Sequence, residues 1–147
     1  ISKEKTEKLK PYLYFKCSEG CEIFVGNNSL GNEMILRNLG NKDDLWFHAR
    51  DVPGSHVLLR VEKKYKKKYD ESTLILQAAS IAAFCSKSKQ NNKVRVSYLP
   101  FQNLRRPKGS GFGKVIFSGH KTILVFPEIG EKILKSFSLK IERSNKL

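Results

Sequence analysis

This chain is short of acids, of cysteine and of long apolar runs, and each shortage closes off a class of function. Only 14 of its 147 residues are Asp or Glu, against 28 Lys or Arg, so the formal net charge is +14. A surplus of that size on a small chain repels itself unless an anion neutralises it. With a sequence pI near 9.8, nucleic acid is the first expected partner, an anionic membrane surface the second, and a merely soluble lysine-rich surface the third. The three cysteines, Cys17, Cys21 and Cys85, are odd in number and sparse. They predict reduced thiols rather than a disulfide framework, and Cys17-x3-Cys21 lacks the second pair a zinc site needs. No apolar run approaches the ~20 residues of a membrane span. The opening "ISKEKTEKLKPY" lacks the apolar core of a signal peptide, so a cytoplasmic location without membrane association is expected. The chain opens on Ile1 rather than methionine, as a piece cut from a longer protein would.

What is present suffices for one folded domain: 39% apolar and 10% aromatic residues. The expected organisation is a charged leader over 1–10, a domain over 11–127 and a basic tail over 128–147. "YLYF" and "EIFVG" predict a hairpin around "CSEG". Asn27 or Asn28 can cap a helix over "SLGNEMILRNL" that ends at Gly40. "DLWFHA" and "HVLLRVE" read as strands joined by "RDVPGS", where Val-Pro-Gly-Ser suits a type II turn. "TLILQAASIAAFC" is apolar almost all round and predicts a buried helix capped by Asp70 or Ser72. "KVRVSYL" alternates as a strand, "PFQNLRRPKGSGFG" is a polar glycine-rich loop, and "KVIFS"/"KTILVFP" predicts a hairpin through Gly119-His120. The fold class is therefore α+β, mostly antiparallel short strands with one or two packed helices.

The richest stretch is "DLWFHARDVPGSHVLLR", residues 44–60, which holds the single tryptophan and two of the three histidines. Strand alternation puts Leu45, Phe47 and Ala49 on one face and Asp44, Trp46 and His48 on the other. If the next strand pairs with its apolar face matched, His56 and Arg60 join the second set. An indole stacks on an unpaired base for ~1–3 kcal/mol. Imidazole and guanidinium bond to base edges, ribose or phosphate, and the acid accepts from an amine or orients an imidazole. Trp46 is thus the expected stacking residue, and Asp44, His48 and His56 the edge or ribose contacts. The competing view makes Trp46 a core residue and Asp44–His48 a structural pair.

Other signals carry less. "GSGFGKV" is one residue short of a kinase glycine loop, and Val115 stands where a Walker loop needs Ser or Thr. The segment instead suits approach to phosphate, together with Arg105, Arg106 and Lys108. Asp44, His48 and His56 could also form an open divalent-metal site if strand register allowed. Ser55 and His56 are neighbours on a strand and point to opposite faces, which disfavours a nucleophile–base pair. "EKKYKKKY" (62–69) is a solvated loop or a phosphate-tracking one beside the tryptophan.

Taken together, Asp44-x-Trp46-x-His48 and Pro53-Gly54-Ser55-His56-Val57 resemble the NFACT-R domain, the RNA-binding C-terminal module of RqcH/NEMF-type ribosome-quality-control proteins, once labelled fibronectin- or fibrinogen-binding. Gly26-x-Asn28-x-x-x-Asn32, the alanine-rich segment 78–83 with Ser86, Arg105-Arg106-Pro107-Lys108-Gly109, and Gly113-Lys114-Val115…Lys121-Thr122 with Pro127 follow the same pattern in order, over residues 12–127. The resemblance implies a non-enzymatic RNA-binding module without cofactor or metal. Its RNA would be tRNA, the large ribosomal subunit, or both, in quality control of stalled nascent chains. Other quality-control domains would be partners if the chain is a fragment. The expected RNA contacts are Asp44, Trp46, His48, Gly54, Ser55 and His56, with Arg50, Arg60, Arg105, Arg106, Lys108 and Lys121 on phosphates. The alternatives are a metal-dependent RNA nuclease and an adhesion or anionic-surface protein.

Overall fold

The computed structural model describes residues 11–145, with the side chains of the last helix as far as Phe137. The leader 1–10 lies outside the described residues. Six strands form one antiparallel sheet: β1 (Tyr12–Ser18), β2 (Cys21–Gly26), β3 (Leu45–Ala49), β4 (Val57–Val61), β5 (Val94–Pro100) and β6 (Lys121–Val125), in the order β1-β2-β4-β3-β5-β6. Three helices accompany it: α1 (Ser29–Met34), α2 (Glu71–Phe84) and α3 (Pro127–Asn145). The α+β class expected from the sequence is the one found.

Each face of the sheet has its own core. On one face Ile23, Val25, Phe47, Val57, Val96 and Val125 pack under α2. That helix buries Leu74, Ile75, Ala78, Ala79, Ile81, Ala82 and Ala83, as its nearly all-round apolar sequence requires. The alanines let α3 close on it. A Cβ on Gly130 would stand 2.0 Å from the Ser80 carbonyl oxygen, so only glycine permits that crossing. Phe137 then reaches Phe15 at 5.1 Å, and the tail from 128 carries part of this core. On the other face Phe24, Ile35, Trp46, Leu58 and Leu99 form a second core. It is roofed by α1, by the π-helical turn Ile35–Leu39 that carries α1 on to Gly40, and by the segment 101–117.

Four local expectations are corrected. Cys17 and Cys21 are joined by a disulfide across the β1–β2 turn, not left as free thiols. The hairpin brings their Cα atoms to 5.6 Å, within bonding reach, and sequence spacing does not reveal that proximity. Cys85 is free. The β3–β4 connection is not a type II turn, because the positive φ falls on Asp51 (59°) rather than on Gly54. Gly54 serves close approach instead: its Cβ would meet the Ser86 Cβ at 2.9 Å. Of the predicted hairpin after Gly113 only β6 forms. Residues 115–117 turn onto the second core, with Ile116 bridged to Arg105. Finally, "EKKYKKKY" leaves β4 at Val61, beside the β1–β2 turn, where the Tyr65 hydroxyl donates to Glu19 at 2.7 Å. That is the end of β3–β4 away from His48 and His56, about 13 Å off along a five-residue strand. The loop therefore does not lie beside the tryptophan ring, which is enclosed with His48, His56 and Phe117.

Candidate nucleic-acid interface

Asp44, Trp46, His48, His56 and Arg60 do share one face, as alternation predicted, but the roof over that face changes what they can do. Trp46 is 1% exposed. Its ring meets Phe117 edge-on at 5.0 Å, His56 edge-on at 5.4 Å and His48 in a stack at 5.8 Å. The stacking role expected of it is not available in this arrangement. Asp44 is equally buried (2%), with Oδ1 accepting from Arg60 Nε at 2.9 Å and Oδ2 from Arg60 Nη2 at 2.8 Å. Oδ2 also accepts the Asn41 N–H at 2.8 Å. The Arg60 guanidinium lies 4.7 Å over Phe24 and donates to the Leu39 carbonyl at 2.6 Å. Both charges are thus consumed at the far end of β3, which corrects their assignment to RNA. With Asp44 committed there, the acid does not meet the imidazoles, and no group of three or more His, Cys, Asp or Glu among the described residues could hold a metal.

The histidines gather at the other end. His48, His56 and His120, all three in the chain, line a cleft of ≈ 650 Å³ with Phe112, Lys114 and Arg50. Trp46 Nε1–H donates to His56 Nδ1 at 2.8 Å, which leaves the His56 proton on Nε2. Burial pushes the His56 pKa down to about 3, helped by the neighbouring His48, against a backbone hydrogen bond to Gly113. Burial likewise lowers His48, whose Nδ1 bonds the Ala49 carbonyl at 2.7 Å. Near neutral pH both are uncharged rings of fixed tautomer, hydrogen-bonding groups rather than phosphate anchors.

The sequence holds the cleft in shape by identifiable contacts. Asn28 caps α1 through the Gly31 N–H at 2.9 Å. One turn on, Asn32 accepts the His56 backbone N–H at 3.0 Å and donates to the Gly54 carbonyl at 3.3 Å. Ser55 Oγ donates to the Gly26 carbonyl. Gly54 and Ser55 thus serve as scaffold for His56. Glu33, which sequence reading passed over, builds the opposite wall. It is 6% exposed and accepts from Arg106 Nη2 and from the Gly113 N–H, each at 2.8 Å. The Arg106 guanidinium holds the Glu33 carboxyl below the usual carboxylate range. Arg106 also donates to the Lys114 carbonyl at 2.9 Å. It is an internal tie first, which corrects its reading as a free phosphate contact.

The cations left open are Arg50, Arg105, Lys108, Lys114 and Lys121, all exposed. The exposed Asp51 stands beside Arg50, at 3.5 Å. Next to the cleft, a shallower hollow under the β3–β4 connection carries Arg50, Lys93 and Arg95, and a second carries Lys87 and Lys89. This end of the sheet is a basic concavity. Its most exposed aromatic is Phe112, at 61%. Phe112 and His120 were both missed, although an aromatic set between two glycines of a polar loop has no core to enter, and that signal could have found it.

The sequence model for the NFACT protein RNA binding domain matches residues 11–120. The chain is 35% identical over 114 residues to the Rqc2 homolog RqcH of Bacillus subtilis (strain 168), covering 78% of this chain and 19% of that protein. It is also 35% identical over 128 residues to the Rqc2 homolog RqcH of Streptococcus pneumoniae (strain D39), covering 86% and 22%. It thus spans about a fifth of the length of these relatives. The solved structure of the C-terminal part of the fibronectin/fibrinogen-binding protein from Streptococcus suis superposes with a TM-score of 0.73 at 34% identity, covering 87% of this chain and 49% of that one. By the family match over most of its length, and by the Trp-His and Pro-Gly-Ser-His elements at the centre of its fold, the chain belongs to the NFACT RNA-binding domain family.

Proposed function

We propose that this chain is a non-enzymatic RNA-binding module that acts in ribosome-associated quality control, with tRNA or large-subunit rRNA as its ligand. The observation that carries this reading is the basic concavity around the β3–β4 connection, where Arg50, Lys93, Arg95 and Lys114 stand exposed with Asp51 as the acid beside Arg50. Exposed cations around a concave, partly apolar floor suit a phosphate backbone with bases turned inward. The similarity to RqcH proteins supports the pathway, and no helix among the described residues is long and apolar enough to cross a membrane.

Each phosphate neutralised contributes ~0.7 to the log–log salt slope for a single strand and ~0.9 for a duplex. Replacing Arg50 and Lys114 together with alanine should therefore lower the slope for tRNA by roughly 1.5. The same exchange of Lys66 and Lys67, at the other end of the sheet, should leave the slope unchanged. Titration by fluorescence anisotropy over a salt series measures both. Equal slopes for the two double variants would count against the cleft end as the binding surface.

A further inference from the structure

We propose that the cleft between His48, His56, His120 and Phe112 receives the base of an unpaired nucleotide, so that the module prefers single-stranded or bulged RNA to a duplex of equal charge. This rests on the RNA-binding reading above and adds what the site takes. A volume of ≈ 650 Å³ lies within the ~300–1,000 Å³ typical of small-molecule sites. It is room for a single unit of a polymer, not for a helical groove.

The polar and charged groups are sorted as that ligand requires. Cations stand on exposed positions, Arg50 and Lys114, where phosphates would pass. The cleft lining also carries the two uncharged imidazoles of His48 and His56, the half-buried His120 and the buried Ser97, with Asp51 as the acid beside Arg50. His120 Nδ1 is buried without a hydrogen-bond partner among the described residues. A polar atom in that position normally has a partner. Phe112 gives an exposed ring on the cleft lining. His48, whose ring lies within 13° of parallel to Trp46, lines the cleft as a second aromatic surface. A duplex keeps its bases stacked inside and reaches neither surface unless one is flipped out.

The wall bearing Phe112 is held but not rigidly built in. Gly113 has φ of 71° and is tied to Glu33 by its N–H, whereas a side chain on Gly111 would meet nothing within 4 Å. The tie to α1 keeps Phe112 at the cleft, with open space beside it at Gly111.

The test uses the whole chain and three probes: a short unstructured RNA of mixed sequence, the same strand made abasic, and the corresponding duplex. Anisotropy titrations should give the unstructured strand about tenfold tighter binding than the abasic one. Stacking of ~1–3 kcal/mol makes Phe112→Ala about 5- to 160-fold weaker on the unstructured strand. On the abasic strand the same substitution should have no effect, and Phe112→Tyr should restore binding. The exposed position of Phe112 makes misfolding of these variants an unneeded explanation, and a thermal melt checks it. If abasic and intact strands bind alike, or Phe112→Ala weakens both equally, the base pocket is wrong. The surface reading survives that outcome when all three probes still bind with a slope that falls in the Arg50/Lys114 double variant. Failure of every probe to bind would overturn both.

Discussion

Trp46→Ala is expected to destabilise the domain by ~3–5 kcal/mol, one of the two largest losses any single substitution here should produce. The indole is 1% exposed and sits at the centre of the second core, between Phe24, Ile35, Leu58 and Leu99. Its removal leaves a cavity that the sheet cannot collapse to fill, because β3 is paired on both sides, to β4 and β5. It also removes the donor that fixes the His56 tautomer. Urea or thermal unfolding measures the loss. RNA affinity corrected for the folded fraction should drop only by what the loosened His56 contributes. If stability were untouched while affinity collapsed, the indole would have to be an exposed stacking platform after all.

Asp44→Ala should cost about 3 kcal/mol. Asp44 accepts two hydrogen bonds from Arg60 and one from the Asn41 N–H. Truncation strands a guanidinium whose side chain is only 23% exposed. The Asp44→Ala/Arg60→Met double variant should recover a substantial part of the loss, since it removes the unpaired charge and keeps an apolar stem over Phe24. Equilibrium unfolding of both variants tests the pair. No recovery in the double variant would mean that the Asn41 turn, not the ion pair, is what Asp44 maintains.

Much of this architecture was legible in the sequence, because its strands alternate cleanly. "DLWFHA" and "HVLLR" placed Asp44, Trp46, His48, His56 and Arg60 on a common face, and the alanine-rich run 78–83 read as a helix buried on several sides. What alternation does not give is what covers a face. A polar-looking face with an acid, an indole, two imidazoles and a guanidinium reads as a surface, yet α1 and the segment 101–117 convert most of it into core. That conversion depends on contacts between residues far apart in sequence, such as Glu33 with Arg106 and Gly113, and no local period carries them. The disulfide was missed for a related reason: a hairpin turn, not a Cys spacing rule, brings Cys17 and Cys21 together. The lysine run was offered as a phosphate-tracking loop beside the tryptophan on the strength of its charge, while its position follows from strand direction alone.

The most direct test of the account is to map where RNA touches the protein, by ultraviolet crosslinking of tRNA to the chain followed by peptide mass spectrometry. Crosslinks are expected on the β3–β4 connection around Arg50 and on the loop that carries Phe112 and Lys114. Crosslinks concentrated instead on Lys63–Tyr69, with the cleft residues unmodified, would place the RNA at the opposite end of the sheet and contradict the assignment.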